Sequence, residues 1–254
     1  MLQIHQFPCL SDNYGFLAHD LATGATATID TPDADEILRQ AAAKGWRITD
    51  IWNTHWHPDH AGGNAAIKAA TGARVSGPAE VERIGAAPDR VVDEGDVLEL
   101  GGARARVLNV GGHTLGHIAY VFDAEKVAFV GDAVFAMGCG RLFEGTPAQM
   151  WSSLAKIAAL PAETTLYCAH EYTESNARFA LSVDAANGDL QSRVEEVKRL
   201  RSEGKPTVPM KLALELRTNP FLRAPELKAA IGLPQASDVE AFAELRKRKD
   251  TFKG

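Results

Sequence analysis

Thr54-His55-Trp56-His57-Pro58-Asp59-His60-Ala61-Gly62-Gly63 sets three imidazoles and a carboxylate within six residues, directly after an apolar run at 48–52. The run reads as a strand. On an extended backbone, side chains at i and i+2 project to the same side, so His55 and His57 can converge on one ion. Pro58 supports this, because the residue before a proline is pushed toward the β region. The chain must then turn and carry Asp59 and His60 in another direction, and Gly62-Gly63 is expected to supply the backbone freedom of a tight turn. Two donor pairs aimed in two directions suggest two metal ions. The plain alternative is a polar strand-to-helix loop whose histidines fall together by accident, and the density of donors argues against it.

The chain has 254 residues, 45% hydrophobic and 24% charged, the composition of an ordinary globular protein with room for a sizeable core. No apolar run approaches the ~20 residues that span a bilayer. Residues 1–10 lack a basic stretch followed by a long apolar one, so no secretory signal is expected. A net charge of −6 disfavours nucleic acid and anionic membranes as partners, since both reward a basic surface. An anionic small molecule must therefore find local positive charge. Cys9, Cys139 and Cys168 are odd in number and lack ligand spacing, which fits a reducing, cytoplasmic compartment without disulfides. None lies in an evident Cys-His arrangement, so buried packing roles are expected for them rather than nucleophilic ones.

Short β-like runs at 2–7, 14–18 and 25–30 alternate with turns, the first at Ser11-Asp12-Asn13. Pro32 and Asp33 open a helical pattern through Ile37, Leu38 and Ala41 that stops at Gly45. The strand at 48–54 delivers the histidine loop; 65–70 reads as a short helix and 73–76 as a strand. Strands are expected at 97–100, 103–110, 118–122 and 127–130. Thr146, Pro147 and Gln149 form the signature of a capped helix whose face is Met150, Leu154, Ile157 and Ala158. A strand at 165–168 is followed by mostly helical texture, with Asp189 expected to cap one helix that ends at Gly204 and Ser237 to open another through a capping box with Glu240. A domain boundary is expected near residue 170.

Further donors sit at predicted strand ends, where a β-rich scaffold presents chemistry on loops. In Gly111-Gly112-His113-Thr114-Leu115-Gly116-His117, His113 lies in the glycine-rich turn and is the better ligand, while His117 opens the next strand and reads as structural. Asp132 follows the apolar run 127–130, and burying it is costly unless it is paired or bound to a metal. His170 follows the strand 165–168. Each alone is more often a capping residue; at successive strand ends they reinforce the first motif.

Thr54 to His60, Gly112 to His117, Gly131-Asp132-Ala133-Val134-Phe135 and Ala169-His170-Glu171-Tyr172 resemble the metallo-β-lactamase superfamily. Gly138-Cys139-Gly140-Arg141-Leu142-Phe143-Glu144-Gly145-Thr146, Asn219-Pro220-Phe221 and Arg246-Lys247-Arg248-Lys249-Asp250 resemble, more narrowly, glyoxalase II, the hydroxyacylglutathione hydrolases. The resemblance covers nearly the whole chain. It implies an α/β (α+β) fold: a four-layered αβ/βα sandwich as catalytic domain at 1–170, then an α-helical substrate-binding domain at 171–254. It also implies that His55, His57 and His113 bind a first divalent metal ion, Asp59, His60 and His170 a second, and that Asp132 bridges them. Zinc is the default for such donors, and iron or manganese also suits imidazole with carboxylate.

Two divalent ions carry about four positive charges; Asp59 and Asp132 return two and a bridging hydroxide one, leaving about one to stabilise a developing oxyanion. A metal-bridging hydroxide positioned by Asp59 and Asp132 is thus the expected nucleophile, its parent water made acidic to ~7 by the metal. A thiolate, whose conjugate acid has a pKa near ~8.5, leaves without a proton donor, and the sequence offers no obvious one, so a thioester suits the site. The resemblance implies S-(2-hydroxyacyl)glutathione as substrate and Arg141, Phe143, Tyr172, Arg246 and Lys249 as its contacts. Arg141 stands where many members have lysine, Phe143 where they have tyrosine, and Ser175 where they often have asparagine. Arg246 and Lys249, three apart on a predicted helix, can face one ligand. A monomer with no macromolecular partner is expected. Superfamily hydrolases of lactones, β-lactams or other thioesters share this pattern, as does in part an iron-dependent glutathione persulfide dioxygenase. A structural zinc module does not, since such sites close around four ligands that usually include cysteine.

Overall fold

The computed structural model describes every residue except Ala86. The chain packs as two units, Met1–Asn109 with Gly116–Gly131, and Val110–Leu115 with Asp132–Gly254.

In the first unit, β1 (Leu2–Cys9), β2 (Asn13–Asp20), β3 (Thr26–Ile29), β4 (Asp50–Trp52), β5 (Arg74–Gly77) and β6 (Arg90–Val91) form one sheet in that order. The short turn after Cys9 makes β1 and β2 an antiparallel hairpin, and β3 continues the pattern. From β3 to β6 the pairing is parallel, which requires crossovers. Helix α1 (Ala34–Lys44) supplies the first, and α2 (Pro58–Ala61) with α3 (Asn64–Thr71) the second. Asp33 caps α1 by accepting from Glu36 N, and Gly45 ends it at φ 69°, as the sequence predicts. Ile37 and Ile67 from the helices pack on Leu17, Ile51 and Val75 from the sheet. A 3-10 turn at Ala79–Ile84 follows β5.

The second sheet of this unit runs β7 (Val97–Leu100), β8 (Ala103–Asn109), β9 (Ile118–Phe122) and β10 (Val127–Gly131), with antiparallel neighbours. Aromatic rings meet between the two sheets: Phe16 and Phe129 at 5.6 Å, Trp52 and Phe122 stacked at 5.9 Å. The Tyr120 hydroxyl, buried in this layer, donates to the Asn53 carbonyl at 2.6 Å. The histidine-bearing strand is shorter than the expected 48–54. Its ladder stops because Asp30 captures Thr54, accepting from its N–H at 2.7 Å and its hydroxyl at 2.8 Å.

In the second unit, β11 (Val134–Phe135) and β12 (Gly138–Cys139) form a small hairpin, and α4 (Pro147–Ala158) carries the expected Thr146/Gln149 capping box with Met150, Leu154 and Ile157 buried. β13 (Thr165–Cys168) pairs antiparallel with β14 (Met210–Lys211). Five helices follow in the chain order α5 (Thr173–Val183), α6 (Gly188–Ser202), α7 (Leu212–Thr218), α8 (Ala224–Leu227) and α9 (Asp238–Thr251). Leu190, Val194 and Val197 of α6 pack on Ala177 and Ala180 of α5. The Ser237/Glu240 capping box opens α9 as expected. α6 starts two residues earlier than predicted: the Asn187 side chain accepts from Leu190 N, while Asp189 falls in the first turn and pairs with Arg217 at 3.3 Å. All three cysteines are free and buried, and burial pushes the thiols up, Cys9 to about 12, Cys139 to about 11 and Cys168 further. None is a ready nucleophile. Among the described residues, no helix is long and apolar enough to cross a membrane.

Candidate metal centre and substrate cavity

In the first unit the chain leaves β4 extended. His55 Nε2 lies 3.0 Å from His57 Nδ1, the convergence expected from i, i+2 spacing, and His57 before the proline sits at φ −56°, ψ 148°. Pro58 then starts α2, which turns Asp59 and His60 away from the strand direction. The His60 ring is 4.0 Å from that of His55, and its Nε2 is 3.4 Å from Asp59 Oδ2. Asn13 donates to Asp59 Oδ2 at 3.0 Å.

Gly62 and Gly63 do not supply an unusual conformation, since their φ values, −64° and −83°, are ordinary helical ones. The need is space: a Cβ on Gly63 would lie 2.7 Å from the Thr31 carbonyl oxygen, to which its own N–H donates at 3.0 Å.

Asp30 is the residue that sequence reasoning missed. Its Oδ2 lies 2.8 Å from His60 Nδ1, which makes Nδ1 the protonated nitrogen and Nε2 the lone-pair donor. Thr54 Oγ1, 3.0 Å from His55 Nδ1, engages that ring in the same manner and turns its Nε2 toward His57. Asp30 closes the β-like run 25–30 as Asp132 follows the run 127–130, so its place at a strand end was a signal of the same kind. His117 is fully buried and stacks on His55 at 4.5 Å, a wall of the pocket in which that ring sits.

The second unit gathers His113, Asp132 and His170. His113 Nδ1 donates to the Arg141 carbonyl at 2.8 Å, again leaving Nε2 as donor, and that nitrogen is 3.3 Å from Asp132 Oδ2. His170 Nε2 approaches the other oxygen, Oδ1, at 3.4 Å. One carboxylate thus presents an oxygen to each of two imidazoles. Gly140 permits this close packing, because a Cβ there would meet the Asp132 carbonyl at 2.1 Å and His113 Nδ1 at 3.0 Å. His170 stacks on Tyr172 with centroids 4.7 Å apart. Buried His55 and His60 in the first unit and His113 in the second have Nδ1 engaged by a protein oxygen, alongside carboxylates and without a thiolate. That donor set fits a divalent metal ion of the zinc, iron or manganese kind.

A cavity of about 470 Å³ lies in the second unit, with His113 and Asp132 in its wall. All five residues expected at the substrate, Arg141, Phe143, Tyr172, Arg246 and Lys249, line it, as do Ser175 and Asp250. Phe143 is 63% exposed, whereas Arg246 is only 5% exposed. Arg246 donates from Nε and Nη2 to Asp250 Oδ1 at 3.1 and 2.8 Å and from Nη1 to the Cys139 carbonyl at 2.9 Å. Lys249 donates to the carbonyl and hydroxyl oxygens of Ser175 at 3.0 and 2.9 Å. Burial, then the neighbouring Arg246, Arg178 and Arg141, bring its ammonium down to about 8. Three cations, Arg141, Arg246 and Lys249, against two carboxylates, Asp132 and Asp250, leave this wall net positive in a chain of net charge −6.

Two family models match: the metallo-beta-lactamase superfamily over residues 23–170, and hydroxyacylglutathione hydrolase C-terminus over 171–252. Among curated relatives, the hydroxyacylglutathione hydrolase of Erythrobacter litoralis (strain HTCC2594) is 58% identical over 99% of this chain and 100% of its own, and that of Methylococcus capsulatus is 50% identical over 100% of both. Among solved structures, ETHE1 from Myxococcus xanthus aligns with TM-score 0.70 at 25% identity, covering 99% of this chain and 92% of its own. BLEG-1 B3 metallo-beta-lactamase aligns at 0.67 and 19% identity over 87% and 99%, a likeness of fold alone. The chain therefore belongs to the hydroxyacylglutathione hydrolase family, carries the metallo-β-lactamase fold and has the divalent-metal site of that superfamily.

Proposed function

We propose that this enzyme hydrolyses S-(2-hydroxyacyl)glutathione thioesters, S-D-lactoylglutathione among them, to glutathione and a 2-hydroxy acid, the second step of methylglyoxal detoxification. The observation that carries the proposal is the cavity: Arg141, Arg246 and Lys249 line a space whose wall includes His113 and Asp132. Glutathione brings two carboxylates, and such a wall rewards them.

In this reading His55, His57 and His113 hold one divalent ion, Asp59, His60 and His170 a second, and Asp132 both, with zinc the default. When bound, the ions supply a hydroxide at neutral pH and polarise the thioester carbonyl. The chain's own part is orientation. Asp30 and Thr54 fix the rings of His60 and His55, and the Arg141 carbonyl fixes that of His113. Arg141 and Lys249 take the glutathione carboxylates, and Phe143 and Tyr172 flank its chain. No proton donor is needed for the thiolate that departs. The helical segment 171–254 acts as the substrate-binding domain, and the protein works as a cytoplasmic monomer.

Steady-state assays with S-lactoylglutathione, a lactone and a β-lactam, on protein of measured metal content, test this. The thioester is expected to be turned over far faster than the others. Absence of thioester turnover rejects the proposal, and oxygen uptake with glutathione persulfide would replace it with a dioxygenase.

A further inference from the structure

Both outer residues of Asn219-Pro220-Phe221 are fully buried. The Asn219 side chain uses both ends. Its Oδ1 accepts from Phe221 N at 3.0 Å, folding the tripeptide on itself. Its Nδ2 donates to the carbonyls of Phe135 at 3.1 Å and Gly138 at 2.9 Å, the two ends of the turn between β11 and β12. Glu215, also fully buried, accepts from Met137 N at 2.9 Å inside that turn, and Arg193 pairs with Glu215. Met137 stands at φ 52°, a left-handed conformation that a non-glycine residue keeps only where its surroundings hold it.

The residue after Gly138 is Cys139, whose carbonyl receives Arg246. The guanidinium of Arg246 also lies 5.0 Å over the Phe221 ring, and that ring is stacked on Phe179 at 5.8 Å. One tripeptide therefore reaches the same arginine twice, through the hairpin whose Cys139 carbonyl accepts from the guanidinium and through the aromatic face beneath it. Neither support depends on the other, since one is a backbone hydrogen bond and the other a cation–π contact.

We infer that Asn219 and Phe221 are positioning residues for the cationic wall of the cavity: they set where Arg246, and with it Asp250, stands, and so govern affinity for the carboxylates of the thiol moiety rather than the chemistry at the acyl carbon. The inference rests on the cavity being the seat of a carboxylate-bearing thiol. A lone structural tripeptide would instead affect every substrate alike.

The test compares S-lactoylglutathione with the lactoyl thioester of N-acetylcysteamine, a thiol without carboxylates, in Phe221→Leu and Asn219→Ser. Each variant is expected to raise KM for the glutathione thioester roughly fivefold with kcat little changed, the scale of a lost cation–π or hydrogen-bond support. Activity toward the neutral thioester should stay within about twofold. Calorimetric titration with S-hexylglutathione should show the same loss of affinity without turnover. If Phe221→Leu does not fold, Asn219→Ser carries the comparison alone. Equal losses on both substrates, or no loss on either, overturn the inference. A wild-type enzyme with no preference for the glutathione thioester overturns the functional reading itself, before any variant is compared.

Discussion

Lys249 concentrates the electrostatics of the cavity in one titrating group. Burial and three nearby guanidiniums disfavour its charge and bring it down to about 8, so the ammonium is complete below that pH and is lost above it. KM for an anionic thioester should therefore be lowest below about pH 8 and climb as pH passes through it. Lys249→Met should abolish that limb and raise KM roughly tenfold at neutral pH, the worth of one charge-assisted hydrogen bond; KM against pH for both proteins is the measurement. The sign for folding is opposite. A lysine whose charge is disfavoured in the fold opposes folding below about 8, and the penalty is relieved as pH rises from there toward 10.5. Two oxygens of Ser175, its carbonyl and its hydroxyl, accept from the ammonium and hold it in place beside Arg141 and Arg246.

Capping boxes were the most legible features of the elements, because such a box is a contact between residues three apart and needs no tertiary knowledge, whereas the lone cap expected at Asp189 lies at Asn187. Thr146 with Gln149 and Ser237 with Glu240 both form reciprocal boxes where the sequence puts them. Ser237→Ala should lower stability by about 1 kcal/mol, with kcat unchanged, since the cap lies at the exposed start of α9; thermal melting beside an activity assay checks it. Helices α7 and α8 and strand β14 escaped notice because segments of seven, four and two residues carry too little periodicity to read. Their placement is decided by buried partners such as Glu215 and Leu227, which only the fold reveals. The site divides in the same way. Seven candidate metal donors can be picked out because ligand chemistry is conspicuous in sequence, whereas Asp30 reads only as the last residue of a strand and Asp250 only as the last residue of a motif, with no role of its own.

At the scale of the whole molecule, charge is distributed against its average. The chain is acidic at −6, while the cavity wall is basic, so an anionic substrate is drawn to one place and repelled elsewhere. Raising ionic strength from about 0.01 to 0.15 M shortens the screening length from roughly 30 to 8 Å. KM for the glutathione thioester should rise severalfold over that range, while KM for the lactoyl thioester of N-acetylcysteamine should not move; parallel salt titrations decide it.

Asp30 also joins a main-chain amide to an imidazole: Thr54 N–H and His60 Nδ1 share one carboxylate group. Anything that anchors the far side of that ring therefore slows the breathing of the chain at the end of β4. Deuterium uptake at Thr54 should be slower in protein loaded with zinc than in protein stripped by a chelator, and Asp30→Asn should erase the difference. The amide would then serve as a built-in gauge of occupancy, readable without any substrate present.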